Sequence, residues 1–300
     1  AISMGINELL LGQSDLVISG GADTMNDIFM YMCFSKTPAL SKSGECAPFS
    51  DTSDGTLLGE GLGMVALKRL VDAERDGDHV YAVIRGLGSS SDGRSKSVYA
   101  PVATGQAKAL RRAYAQAGYS PATVELVEAH GTGTKAGDAA EFEGLQLAFD
   151  EAGRSERQWC ALGTVKSQIG HTKAAAGAAG MIKAILALHH KVLPPTIKVR
   201  APNEKLHLDE SPFYLSTEAR PWVHDAPYPR RASVSALGFG GTNFHVALEE
   251  YVGPSDRPAR MHTAPSELLL LTAASPAALA AACRETAKLC SADGALVNLA

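Results

Sequence analysis

The sequence predicts an α/β fold. Short apolar runs alternate with stretches of helical spacing along most of the chain. Three of the apolar runs end in turns rich in small residues that hold histidine. The helical stretches stop at glycine or before proline, as helix ends do.

The elements follow in order. Residues 1–12 read as the second part of an amphipathic helix with no N-cap and no preceding loop, so the chain is expected to be a fragment. Residues 16–21 are an apolar run closed by glycines, a buried strand. Residues 22–60 read as loop, with Pro38, Pro48 and much Ser, Gly and Asp. Residues 63–70 read as a strand, 71–78 as a polar connector and 80–88 as another strand. Residues 105–117 show apolar spacing near 3.6 and end at Gly118, a helix with a glycine cap. Residues 124–129 are a strand running into His130, and 139–149 a helix. Residues 161–165 are a strand running into Lys166. An alanine-rich helix over 174–189 stops ahead of Pro194 and Pro195. Residues 231–236 form a strand that leads to a glycine loop, and 244–249 its hairpin partner. Residues 253–265, with Gly253, Pro254, Pro258 and Pro265, read as a linker. A new strand from 267 and a new helix over 275–290 then begin another module.

Composition narrows the function classes. The 45% apolar content can build a sizeable core. A net charge of −4 with both signs interspersed gives no support for a nucleic-acid partner. No apolar run approaches the roughly 18 residues of a membrane span, and no signal peptide is visible, so a cytoplasmic protein is expected. Five scattered cysteines without a C-x-x-C pair read as reduced thiols rather than a disulfide frame or a metal site. No histidine pairs at ligand spacing with a carboxylate or cysteine, so no metal is expected; His189 and His190 suit a helix C-terminus.

The chemistry sits in three motifs. The first is Glu128-Ala129-His130-Gly131-Thr132-Gly133-Thr134, with Gly137-Asp138 after it. The second is Val165-Lys166-Ser167-Gln168-Ile169-Gly170-His171, and the third Gly238-Phe239-Gly240-Gly241-Thr242-Asn243. Two histidines at strand ends, a lysine between them and a glycine loop point to chemistry on a carbonyl. The glycine loop is not a dinucleotide fingerprint, because no helix follows it. No nucleophile accompanies these groups.

On these ordered motifs the chain resembles the β-ketoacyl synthase (ketosynthase) domains of multidomain polyketide and fatty acid synthases, from residue 1 to about residue 251. Finer stretches, Phe29-Met30-Tyr31-Met32, Phe34-Ser35-Lys36-Thr37-Pro38 and Ser91-Asp92-Gly93-Arg94, are similar to iterative synthases that make polyunsaturated fatty acids. The resemblance implies a thiolase-like, five-layer α-β-α-β-α fold with an incomplete N-terminal half, working as a homodimer. Residues 1–70 would end the first half and 79–251 form the second. Residues 252–300 would be a linker and the start of a following module, an acyltransferase.

The implied reaction is decarboxylative Claisen condensation of an acyl thioester with a malonyl-carrier. No cofactor is bound directly; substrates arrive on the phosphopantetheine arm of an acyl carrier protein. By the same resemblance His130 and His171 donate to the enolate oxygen, and Lys166 orients them. Fatty-acid-type relatives often carry a glutamate after Gly177-Ala178-Ala179-Gly180; here Met181-Ile182-Lys183 follows, which leaves Glu128, Asp138 or Glu141 as counter-charges for Lys166. The Phe239 backbone N–H belongs to the oxyanion hole and its ring to gating. Thr132 and Thr134 hold the amides of the arm, and Gly240 and Gly241 let the backbone approach the substrate. His245 faces the core or the dimer.

The family's reactive cysteine lies upstream of the position of Ala1. Cys33 and Cys46 read as loop residues and Cys160 as a small buried one. The chain alone is therefore expected neither to condense substrates nor to fold well. A non-catalytic ketosynthase-like partner would have lost the nucleophile too, but intact His130, Lys166 and His171 speak against that reading. A thiolase would carry a cysteine near the closing loop, and a serine hydrolase a Gly-x-Ser-x-Gly elbow; neither is present.

Overall fold

The computed structural model describes residues 1–37, 39–94, 100–253 and 270–290. Helix α1 (Ile2–Leu10) leads into β1 (Leu16–Asp23). After α2 (Ile28–Lys36), β2 (Gly61–Lys68) pairs antiparallel with β1, Leu16 facing Lys68 and Asp23 facing Gly61. Helix α2 corrects the loop assignment of this stretch. Its run from Ile28 to Phe34 is apolar on every side and buries none of its residues, so it carries no 3.6-residue signal. Its start is set locally by the Asp27 carboxylate, which accepts the Met30 N–H at 3.0 Å. Helix α3 (Leu70–Asp76) likewise replaces the expected connector. Asp72 ties Arg69 at 2.5 Å and Arg75 at 2.6 Å, and Gly77 ends the helix in the left-handed region.

The next elements are β3 (Val83–Ser91), α4 (Ala103–Ala117), β4 (Leu126–Glu128), α5 (Lys135–Asp150) and β5 (Cys160–Gly163). They are followed by α6 (Lys166–Ile169), α7 (Ala176–His190), β6 (Val192–Leu193), β7 (Phe213–Leu215), β8 (Arg220–Pro221), β9 (Arg231–Gly238) and β10 (Thr242–Glu249). A six-stranded sheet runs in the order β3-β10-β9-β4-β5-β7. Strands β9, β4, β5 and β7 are parallel; β10 is antiparallel to both neighbours.

The strands bury both faces by strict alternation. Val127, Leu162 and Ala247 pack under α4 and α5 with Leu110, Phe142 and Phe149. Leu126, Ala161 and Val246 pack on the other face with Ala184 and Leu188 of α7. Helix α4 comes close because β3 carries Gly88, where a Cβ would lie 1.9 Å from the Ala109 carbonyl oxygen. Helix α7 also touches β1 and β2, and α1 packs on the same face of that pair: a Cβ at Gly5 would meet Val17 and Leu67, and one at Gly63, in register with them, would meet Ile182 of α7. The succession α4/α5, large sheet, α7 with α1, β1–β2 gives four successive layers of the α-β-α-β-α fold, and among the described residues no helix covers the outer face of β1–β2. The β1–β2 pair leaves Ile18, Leu62 and Met64 exposed, as α2 does Ile28 and Phe29.

Residues 1–253 form one compact unit and 254–300 a second, in which α8 (Pro276–Cys290) is the helix expected over 275–290. The linker residues 254–265 and positions 267–269 of the expected strand lie outside the described residues. Among the described residues no helix is long and apolar enough to cross a membrane, and no group of three His, Cys, Asp or Glu could hold a metal.

Candidate active site

The first motif is a turn held by two carboxylates. Strand β4 delivers the chain to His130. Glu141 of α5 then accepts the N–H of His130 on one oxygen and that of Gly131 on the other, each at 2.7 Å. Asp138 accepts the N–H of Gly133 at 3.0 Å and of Phe49 at 2.8 Å. The Thr134 hydroxyl caps α5 by accepting the Gly137 N–H at 3.3 Å, and lies 2.9 Å from the Thr132 hydroxyl. Gly133, at φ 76°, cannot be replaced without strain: a Cβ there would sit 2.7 Å from the Gly55 carbonyl oxygen. Burial pushes Asp138 up to about 6 and Glu141 up to about 7, against the pull of the backbone donors.

The second motif places His171 beside His130 and Lys166 close enough for its charge to act on both rings. Lys166 opens α6 and is 2% exposed. Burial lowers its pKa; Glu128 opposes this most, then Glu141, Cys46 and Asp138. None of the three expected counter-charges closes a direct ion pair with Lys166 among the described residues. Glu128 pairs instead with Lys183 at 2.9 Å, and its other oxygen accepts the Val165 N–H at 2.6 Å.

The His171 backbone N–H bonds the Leu57 carbonyl at 2.7 Å, and its Nδ1 accepts the Lys173 N–H at 3.0 Å. The His130 and His171 rings stand 5.1 Å apart, edge to face at 81°. Burial, then the Lys166 charge, pulls His130 well below its ordinary value and His171 down to about 3. Both rings are neutral near pH 7 and can act as hydrogen-bond donors without carrying charge.

The third motif is the β9–β10 hairpin, with Gly238 opposite Thr242. Gly240 and Gly241 take φ 87° and 76°. Asp92, at the end of β3, anchors the turn: its N–H donates to the Gly241 carbonyl at 2.8 Å, and its carboxylate accepts the Asn243 amide at 2.6 Å. Phe239 is 62% exposed, and its ring centroid lies 6.3 Å from that of Phe34 on α2.

One cavity of about 730 Å³ brings together His130, His171, Thr132, Thr134, Phe239 and Gly241 on its wall. Lys166 stands behind the histidines, and Gly240 faces open space. His245 is fully buried between Ser235 (3.0 Å) and Tyr114 (3.1 Å), a core residue as expected. Cys33 lies in α2, which corrects its loop assignment; Cys46 and Cys160 are buried with raised thiol pKa values. None of these three lines the cavity.

Sequence reasoning missed the anchoring role of Asp92 and the Lys183–Glu128 pair. The signals were present as Ser91-Asp92-Gly93-Arg94 and as the lysine in the glutamate's place, but their partners are distant in sequence.

Three family descriptions match the chain in succession. "Beta-ketoacyl synthase, N-terminal domain" matches residues 1–73, "Beta-ketoacyl synthase, C-terminal domain" residues 81–200, and "Ketoacyl-synthetase C-terminal extension" residues 202–300. The chain is 46% identical over 288 residues to a polyunsaturated fatty acid synthase from a Thraustochytrium species, covering 95% of this chain and 10% of that protein. It is 41% identical over 267 residues to the polyketide synthase PksL of Bacillus subtilis, covering 88% of this chain and 6% of that protein. The chain thus spans a tenth or less of these curated relatives. The solved ketosynthase from module 6 of the Bacillus subtilis bacillaene synthase superposes with a TM-score of 0.81 at 41% identity, over 84% of this chain and 45% of that one.

Proposed function

The chain belongs to the β-ketoacyl synthase family, and from that premise we propose that it carries the decarboxylating side of a condensing site in polyketide or polyunsaturated fatty acid synthesis. The observation that carries this reading is the pair of neutral imidazoles on one cavity wall. A malonyl thioester placed there directs its carbonyl oxygen at the His171 Nε2–H and the His130 ring. The carbon–carbon bond to the carboxylate breaks, carbon dioxide leaves, and the electron pair becomes an enolate whose oxygen both rings hold. That carbanion attacks the thioester carbonyl of an acyl group on a cysteine supplied from outside the residues described. The new oxyanion meets the Phe239 N–H and collapses to expel the cysteine thiolate. Donors fixed beforehand need no reorganisation as charge develops; one such donor is worth about 10²–10³ in rate.

Thr132 and Thr134 are proposed to hold the amides of the phosphopantetheine arm of an acyl carrier protein. Gly241 is proposed to let the turn come close to the substrate, and Gly240 to give that turn its shape. An acyltransferase in the same polypeptide would load the carrier. A homodimer is supported by the apolar side chains exposed on β1, β2 and α2, and a cytoplasmic setting by the scattered free thiols. The division at residues 70–79 is supported by the matches that end at 73 and begin at 81. The extension match over 202–300 supports attaching residues 252–300 to the ketosynthase ahead of any following module.

The test is release of carbon dioxide from a malonyl thioester by the protein that carries this chain. Release well above background, lost in both His130→Ala and His171→Ala, is expected. Equal rates with and without the two histidines would overturn the proposal.

A further inference from the structure

We propose that Lys183 is a positioning residue of this site: through its ion pair with Glu128 it fixes the turn that bears Lys166 and governs the negative charge that Lys166 meets. The inference rests on the function proposed above.

The pair is built in from both sides. Lys183, on α7, reaches 2.9 Å from one Glu128 oxygen, with side chains 11% and 3% exposed. The other Glu128 oxygen accepts the N–H of Val165, the residue before Lys166. One carboxylate therefore joins α7, the end of β4 and the turn entering α6. Gly180 clears its space. At Gly180, one turn before Lys183, a Cβ would lie 3.1 Å from Glu128 Cγ and 3.4 Å from its Oε1. At Gly163 a Cβ would lie 2.5 Å from the Thr196 hydroxyl and 3.9 Å from Lys183 Nζ.

The electrostatics follow from the geometry. Glu128 faces Lys183 from α7 and Lys166 from α6. Lys166 faces Glu128 from β4, Glu141 and Asp138 from α5, and Cys46 from the loop before β2. His130 and His171 both feel Lys166. Burial already pushes the Glu128 carboxyl up, and Lys183 is the strongest opposing influence. Without Lys183, Glu128 takes up a proton at higher pH. Lys166 then loses its largest supporting charge and gives up its proton at lower pH. The acid limb of the decarboxylation profile moves up and the alkaline limb moves down.

The test compares Lys183→Met and Lys183→Arg with the unaltered full chain. Carboxyl carbon resonances of labelled glutamate are followed against pH, with Glu128→Gln to assign the signal, alongside the pH profile of carbon dioxide release. In Lys183→Met the Glu128 signal should titrate at higher pH and the rate profile should narrow on both sides; Lys183→Arg should restore both. An unchanged Glu128 titration, or a rate lowered equally at every pH, would overturn the proposal. If Lys183→Met does not fold, the double variant Glu128→Gln with Lys183→Met removes both charges of the pair, and its Lys166 should titrate lower; an unshifted Lys166 again overturns it. Absence of decarboxylation in the unaltered protein would count against the proposed function alone, because the titrations do not depend on turnover.

Discussion

His171 Nδ1 accepts the backbone N–H of Lys173 at 3.0 Å, and this one bond decides which ring nitrogen carries the proton. A backbone N–H can only donate, so Nδ1 must be the bare nitrogen and Nε2 the protonated one. The ring is thereby fixed as a neutral donor. The Lys173 side chain is tied down as well: Nζ pairs with Asp23 at 2.9 Å and bonds the Gly59 carbonyl at 3.1 Å.

Nitrogen NMR of the labelled histidines should show His171 as a single Nε2–H tautomer from pH 5 to pH 8, with protonation beginning only towards about 3. A resonance that titrates near 6.5, the ordinary histidine value, would contradict the assignment. The variant His171→Ala should lose about 10²–10³ of the decarboxylation rate.

Acid stability should report on His245. Its pKa falls from an ordinary 6.5 to about 3 through burial. The unfolded chain then binds this proton more readily than the folded one, so stability is lost as pH falls from 6.5 towards 3. Between pH 7.5 and 5 this residue alone should remove about 2 kcal/mol. Urea unfolding of His245→Gln at the two pH values should show a smaller loss than the unaltered chain; an equal loss would place the acid sensitivity elsewhere.

The two loop glycines should respond differently to alanine. Both have φ in the left-handed region, so both substitutions strain the backbone by about 1–2 kcal/mol. At Gly241 a Cβ would also meet Asp92 Cβ at 2.6 Å, whereas nothing lies within 4 Å at Gly240. Thermal unfolding should therefore rank Gly241→Ala as the more damaging, and only that change should disturb the Asp92 anchor and slow carbon dioxide release.

Glu141→Gln should weaken the His130 turn. The carboxylate accepts two backbone N–H groups, one per oxygen, and an amide can accept only one of them. A buried N–H left unpaired costs about 1–3 kcal/mol. Denaturant unfolding should show that loss. It should shrink as pH rises from about 4.5 to about 7, where the unfolded carboxyl has ionised but the buried native one still holds its proton, and level off above that.

The histidine turns, the helix caps and the alternating strands were legible in the sequence because their signals are local. Gly118 marks the end of α4 by its left-handed backbone, and Val127 and Leu162 mark a strand face by their neighbours two positions away. Helices α2 and α3 were not legible: one buries nothing and so shows no periodicity, and the other is short and held by ion pairs.

By itself, then, the sequence determined the α/β class, the order of the elements and the three turns that present His130, His171 and Phe239. A few adjacent residues suffice to set backbone dihedrals and a buried face. Only the tertiary structure decided which charges meet. Glu128 was an open candidate for Lys166 until the packing of α7 on β4 brought Lys183 to it. Asp92 became the anchor of the glycine loop only when β3 paired with β10. Coulomb and hydrogen-bond partners depend on distances of a few ångströms, and packing register fixes those distances where sequence spacing does not.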